Sequence, residues 1–439
     1  MVHAGIHRGP RLGLLSAAAL LLAACGSGSG SSSSNTSPLL VGVLAPFTGA
    51  DAALGPAYFA ACLPAVRVIN AAGGVMGHRL SCQQFDTRGE PADAVPAANQ
   101  MLAANSNLMA VVGCTSDEAS AVVPILDHAH IPMFCMTGQS EFNRSSFTYF
   151  HRLVPPDEFD AYAIVGSALD FNHYKRVALV FGNDIGSQAF VHPAMTALQN
   201  LGATVTVNQA IALGAPSYRT EVTALLATHP DVILTEALGP TEATYLAEVK
   251  QLNGSSLPFI GTSATIDPVW FKAVSDAIGI PDVLKYFQAV DLGVTFSGPG
   301  YAEFKTNLDS ADVAAKFPDA SKYSQRGATL HLYDGIMQAA LAMDATHSTD
   351  PTVYNAKIKD IGNGVSGAVV VNTYKDGVAA LASGKSVHWV GAGGITQYNQ
   401  YNNSQQGYIL VKYDASGNEV TIGTLTSAQT AAVIAAGGG

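Results

Sequence analysis

The sequence predicts an α/β protein built as two doubly wound lobes. Apolar strand runs alternate with helical stretches from Leu39 onward, and the alternation restarts after Pro155-Pro156. Hydrophobic residues make up 48% and charged residues 13%, a balance that packs a core and rules out a disordered chain. Strand and helix repeating at this spacing bury a mostly parallel sheet between helical layers.

Residues 39–44 are continuously apolar, as in a parallel strand covered on both faces. Pro46, Gly49 and Gly55 break the loop that follows. A helix is expected over 57–70, ended by Ala71-Ala72-Gly73-Gly74. The next elements are a strand at 80–85, a helix at 92–104, a strand at 108–112, a helix at 117–129 and a strand at 132–136. The second series runs helix 159–171, strand 176–181, helix 188–201, strand 204–211, helix 217–228, strand 231–235, helix 241–252 and strand 259–261. Residues 287–292 read as a strand able to cross back to the first lobe, where a long helix at 325–345 would pack. Residues 408–413 and the turn 414–418 read as a β-hairpin.

Ahead of all this, the apolar run 12–24 follows His7, Arg8 and Arg11 and ends in Leu22-Ala23-Ala24-Cys25. Small residues before a cysteine, after so short a run, are the pattern of a bacterial lipoprotein signal. A spanning helix would need about 20 apolar residues. Residues 1–24 are therefore expected to be removed, Cys25 to carry lipid, and the Gly/Ser-rich stretch to serve as a tether up to residue 38. The domain is then extracytoplasmic and held at the bacterial cell membrane.

Losing Arg8 and Arg11 moves the net charge from −11 to about −13, with no basic run anywhere. Nucleic acid is not an expected partner, and an anionic membrane would repel the domain, so lipid must hold it there. Four further cysteines, Cys62, Cys82, Cys114 and Cys135, contain no CxxC pair. Export permits disulfides. Cys62 with Cys82 is the favoured pairing, joining the first helix to the second strand; pairing of Cys114 with Cys135 is left open.

Several segments resemble one known family. They are Val41-Gly42-Val43-Leu44-Ala45-Pro46-Phe47-Thr48-Gly49, Ile69-Asn70-Ala71-Ala72-Gly73-Gly74-Val75-Met76-Gly77, Val111-Val112-Gly113, Ile131-Pro132-Met133 and Phe150-His151-Arg152-Leu153-Val154-Pro155. In order and spacing the chain is similar to type I periplasmic binding proteins, specifically the branched-chain amino-acid-type substrate-binding proteins of ABC transporters. The match runs over about 39–290 and more loosely to about 415. The resemblance implies two lobes joined by a three-strand hinge. It places 39–154 and 289–385 in one lobe, 155–288 and 386–425 in the other, with 426–439 as a tail. It also implies a ligand held between the lobes, closure on it, and delivery to the permease of an ABC importer. The rival expectation is a sensory or regulatory module of the same fold, signalling occupancy to a partner.

The same resemblance suggests ligand contacts. Ser116, in the strand-to-helix turn 113–118, falls where a hydroxyl and backbone hold the ligand's carboxylate. Thr115 and Glu118 fit a capping box at that turn, which would satisfy the same donors internally. Gly138 and Gln139 lie where relatives supply a carbonyl and a hydroxyl. In the second lobe, Ser263 stands where amino-acid-binding relatives place an acid for the ammonium, and Leu54, Ile185 and Leu238 stand at aromatic positions. A buried ammonium without a carboxylate is costly. An α-amino acid is therefore not expected unless Asp184 or Glu236 supplies the charge, and a small ligand without an ammonium, such as a carboxylate or amide, fits better.

No feature asks for catalysis, a metal or a cofactor. There is no HExxH motif, and His128 and His130 are two apart, which separates them on a helix. The Gly-x-Ser-x-Gly match at 26–30 lies in the tether, and Gly391-Ala392-Gly393-Gly394 lacks the GK[ST] ending of a phosphate loop. The expectation is a binding protein and not an enzyme.

Overall fold

The computed structural model describes residues 37–49, 51–405 and 407–438. The leader, Cys25 and most of the tether lie outside the described residues. Strands are numbered along the chain. The first sheet contains β1 (Leu39–Ala45), β2 (Leu80–Asp86), β3 (Leu108–Val112), β4 (Met133–Cys135) and β5 (Phe150–Arg152), in the order β2-β1-β3-β4-β5 and all parallel. β1 and β3 are buried at every position, which is why their sequences are unbroken apolar runs and do not alternate.

The second sheet starts with β6 (Arg176–Gly182), β7 (Thr204–Ile211), β8 (Val232–Glu236), β9 (Phe259–Gly261) and β10 (Phe287–Leu292). Three short strands, β11 (Val369–Val371), β12 (Val387–Gly391) and β13 (Gly394–Ile395), form a small separate sheet. The hairpin β14 (Tyr408–Tyr413) and β15 (Glu419–Thr424) then completes the second sheet, in the order β15-β14-β10-β9-β8-β6-β7. The turn at 414–418 closes on Asp414, whose carboxylate accepts from Ser416 N and Asn418 N.

The two large sheets have separate buried cores, and the small sheet shares that of the first. The first lobe packs β1 and β3 against the helices Gly55–Ala71 and Gly327–Thr346. The latter is buried from Gly327 to Met343, because it packs directly on β3 and β4 with the helices Gly55–Ala71 and Pro351–Asn363 against it. Its one early hydroxyl is satisfied: Thr329 donates to the Ala57 carbonyl at 3.1 Å. In the second lobe, Tyr413 stacks with Trp270 and Phe287, which meet each other at a tilt.

Two crossing points differ from the expected boundaries. β10 remains paired in the second sheet through Leu292, so the return to the first lobe comes after it and not at 289. Val387, Trp389, Ala392 and Tyr398 belong to the first lobe's core, so the chain rejoins the second sheet only at Tyr408. The reason lies in Asp334: buried within the first lobe, it accepts from Trp389 Nε1 (3.0 Å), Ala392 N (2.9 Å) and Gly393 N (2.7 Å) and pins 386–398 there. The glycine-rich turn at 391–394 thus spends two of its N–H groups on a carboxylate of the chain. The segment after 425, expected as a tail, contains the helix Ser427–Gly437 opened by a Thr426/Gln429 capping box.

Three connections join the lobes, and they run side by side. Arg152 N donates to Asn402 O (3.0 Å), Ser404 N to Arg152 O (2.8 Å) and Gly293 N to Gly407 O (2.9 Å). The third connection therefore lies against both others as the expected three-strand hinge. Cys62 and Cys82 are bonded to each other, tying the helix Gly55–Ala71 to β2. Cys114 and Cys135 are buried free thiols with their sulfurs 2.9 Å apart. Among the described residues, no helix is long and apolar enough to cross a membrane.

Candidate functional site

The carboxyl ends of β1, β3 and β4 in one lobe face those of β6, β8, β9 and β10 in the other, which is where open α/β sheets place ligands. The cleft between them has a free volume of about 140 Å³, below the usual range for sites that take drug-sized molecules. Tyr58, Met136, Phe190 and Tyr408 provide apolar wall. Seven carboxylates also line it: Asp51, Asp117, Asp157, Asp160, Asp184, Glu236 and Asp291. Among the described residues, Arg326 is the single cation in the lining.

Of the nine residues singled out as ligand contacts, the structure brings six into this lining: Leu54, Ser116, Asp184, Glu236, Leu238 and Ser263. The remaining three stand apart. Ile185 is exposed at the cleft's edge and takes part through its backbone only. Gly138 and Gln139 lie one layer back. The Gly138 carbonyl accepts from Asp157 N at 2.8 Å, and Gln139 is buried with its carbonyl accepting from Arg152 Nη1 at 3.3 Å. Gly138 has to be a glycine: a Cβ there would sit 1.9 Å from Asp157 Oδ1. The patch at 138–139 thus positions Asp157.

The capping box at the head of the helix Ser116–His128 is present. Thr115 Oγ1 donates to Glu118, which also accepts from Thr115 N (3.3 Å) and from Thr87 Oγ1 (2.9 Å). Glu118 is fully buried and has no reach into the cleft. Ser116 Oγ lies 3.1 Å from Thr137 Oγ1. Across the cleft, Asp184 caps its own turn by accepting from Ser187 N at 2.7 Å. Asp117, on the first lobe, accepts from Ile185 N and Gly186 N on the second. Glu236 accepts from Thr262 Oγ1 and, at 3.5 Å, from Ser187 Oγ.

Ser263 does not leave its corner uncharged. Its hydroxyl donates to Asp160 Oδ2 at 3.1 Å, and its carbonyl accepts from Arg326 Nη1 at 2.6 Å. The acid missing from position 263 is supplied by another helix. Asp157 and Asp160 share one face of the helix Asp157–Gly166, three residues apart, directly after the first hinge connection. That i, i+3 carboxylate pair after Pro155-Pro156 is the signal by which sequence reading could have found them.

So many acids in one cleft cannot all be ionised. Burial pushes the Asp157 carboxyl up to about 7, with Arg152 opposing the shift. Burial also raises Asp160 and Glu236 well above the ordinary carboxylate range. Asp184 rises through burial, and Asp51 rises through burial and then through Asp117 beside it. No cluster of metal-ligating side chains occurs among the described residues.

A family model described as periplasmic binding protein matches residues 38–418. The chain belongs to the periplasmic binding protein family. Among its relatives is an amino acid binding protein of Pseudomonas aeruginosa, 24% identical over 334 residues that cover 76% of this chain and 85% of the relative. Leu/Ile/Val-binding protein BraC3 of Rhizobium johnstonii is 25% identical over 257 residues, covering 56% of this chain and 70% of that protein. In fold, this periplasmic binding protein is similar to the branched-chain amino acid transporter substrate-binding protein LivJ of Streptococcus pneumoniae, solved with isoleucine. The TM-score is 0.69 at 15% identity, over 88% of this chain and all of that one. By name, the first of these binds amino acids, the second leucine, isoleucine and valine, and the third serves a branched-chain amino acid transporter.

Proposed function

We propose that this periplasmic binding protein is a lipid-anchored receptor that captures a small organic solute between its lobes and delivers it to the permease of an ABC importer. The observation that carries the reading is the cleft. It is small, it lies at the carboxyl ends of both sheets, and both lobes contribute polar groups to it. The three connections running side by side support a hinge between the lobes, the kind of motion by which such folds close on ligands. Ser116, Asp184, Glu236 and Ser263 are the proposed polar ligand contacts, with Leu54 and Leu238 as apolar ones. Cys25 is the proposed lipid attachment site, and it keeps the receptor at the membrane where the permease is.

The test is uptake of labelled solute in cells that carry the importer, with wild type compared with Cys25→Ala. The reading expects wild type to partition with membranes and to support uptake, and the variant to be released with uptake reduced. Uptake independent of the receptor's presence would overturn it.

A further inference from the structure

Among the described residues, the cleft has two helix ends and one cation that could receive a ligand's anionic group, and the chain turns each of them toward acceptors of its own. The helix Ser116–His128 is capped by Thr115 and Glu118. The turn at 184–187 gives its N–H groups to Asp184 and Asp117: Ser187 N to the first, Ile185 N (2.8 Å) and Gly186 N (3.2 Å) to the second. Arg326 spends Nη1 on the Ser263 carbonyl, and its Nε lies 3.7 Å from Asp267 Oδ2.

Acceptors, by contrast, are left over. Asp160 is 4% exposed and lines the cleft; its Oδ2 takes the Ser263 hydroxyl, while its Oδ1 has no hydrogen-bond partner. Asp157 Oδ2, on the same helix face, is likewise buried and unpartnered. A buried carboxylate oxygen without a donor is costly and calls for one.

We propose that the ligand is a small organic cation, an ammonium-bearing molecule without a carboxylate, whose N–H groups bind Asp160 and Asp157. A short aliphatic amine, diamine or amino alcohol has the required size and donors. The inference rests on the reading of this cleft as the solute site. It also reverses the expectation drawn from Ser263, because the acid absent at that position arrives from Asp160. A ligand carboxylate would meet seven lining acids and one arginine, whose Nη1 is turned to the Ser263 carbonyl and whose Nε faces Asp267 at 3.7 Å. A ligand ammonium neutralises part of that charge and satisfies both orphaned oxygens.

The test is calorimetry and thermal melting of the purified full chain with n-butylamine, 1,4-diaminobutane and ethanolamine. Butyrate, benzoate and leucine serve as the comparison set. The expected result is binding of at least one amine, at least tenfold tighter than any carboxylate or leucine. Asp160→Asn should weaken that binding at least tenfold, with unliganded melting unchanged or raised, since the amide keeps the Ser263 contact and replaces a carboxyl whose ionised form burial disfavours. If that variant does not fold, Asp157→Asn provides the same comparison. Leucine or benzoate bound as tightly as the amines would overturn the cation inference while leaving the receptor reading intact. Amine binding undiminished in both variants would overturn the assignment to this helix face. Failure of every amine to bind would overturn the cation inference, and uptake that does not depend on the receptor would overturn the receptor reading as well.

Discussion

Asp117 Oδ1 accepts from Ile185 N at 2.8 Å and from Gly186 N at 3.2 Å, one lobe bonding directly to the backbone of the other. The turn at 184–187 is thereby held by a carboxylate of the chain itself, in the position where a helix end would otherwise attract an anion. This contact joins the lobes without passing through the hinge.

Asp117→Ala should therefore loosen the lobes of the unliganded protein. Hydrogen bonds to a charged group are worth about 1.5–3 kcal/mol, and this pair is partly exposed, so a shift of roughly tenfold in a closing equilibrium is expected. Small-angle scattering reads it as a larger radius of gyration for the unliganded variant than for wild type. Identical scattering curves would show that Asp117 does not hold the lobes together.

Gly138→Ala tests the layer behind the cleft. The added Cβ would fall 1.9 Å from Asp157 Oδ1 and 2.8 Å from Asp157 N, so the start of the helix Asp157–Gly166 has to move. Overpacking of this kind costs about 1–3 kcal/mol. Urea unfolding should show that loss, and ligand affinity should fall with it. Full affinity in the variant would mean that Asp157 has no part in binding.

The bond between Cys62 and Cys82 closes a loop with a sequence separation of 20. Loops of this length restrict the unfolded chain by about 3 kcal/mol. Replacing both cysteines with serine should lower the unfolding free energy by that order, and reductant should have the same effect on wild type and none on the variant. A reductant effect that persists in the variant would point to the other cysteine pair.

Buried acids also set the pH response. Glu242 is fully buried, hydrogen-bonded to Thr235 Oγ1 at 2.8 and 3.0 Å, and burial pushes it up to about 8; Asp334 is pushed up by burial to about 7. A group whose pKa is higher folded than unfolded holds its proton in the native state, so its stabilising effect fades as pH rises through the folded value. Burial lowers His151 and His331 to about 4, and their opposite contribution is lost only below about 6.5. Between pH 6.5 and 8 the acids alone decide the sign, and the unliganded protein should melt higher at pH 6.5 than at pH 8. Glu242→Gln should raise stability at pH 8 by on the order of 1 kcal/mol and flatten the slope. A melting temperature that climbs steadily from pH 6.5 to 8 would contradict this account.

Much of the architecture was legible along the chain because it is local. Unbroken apolar runs become strands buried on both faces, as in β1 and β3. Thr115 with Glu118 forms the capping box that their three-residue spacing requires. The convergence of Leu54, Ser116, Asp184, Glu236, Leu238 and Ser263 on one cleft followed from the resemblance of order and spacing. Composition, alternation and a cysteine pair 20 apart were enough for two lobes and a staple between helix and strand.

The charge of the cleft was decided only by tertiary structure. Ser263 looked like a missing acid because its partner, Asp160, lies 103 positions away and reaches it only when the helix Asp157–Gly166 packs beside β10. Asp117 was not singled out along the chain because its acceptor role depends on backbone N–H groups in the other lobe. The return crossing near Tyr408 was hidden for the same reason, since Asp334 pins 386–398 through bonds spanning more than 50 positions. Periodicity and capping depend on neighbours within a few residues. Electrostatics and desolvation depend on whatever folding brings within a few ångströms, and no local pattern records that.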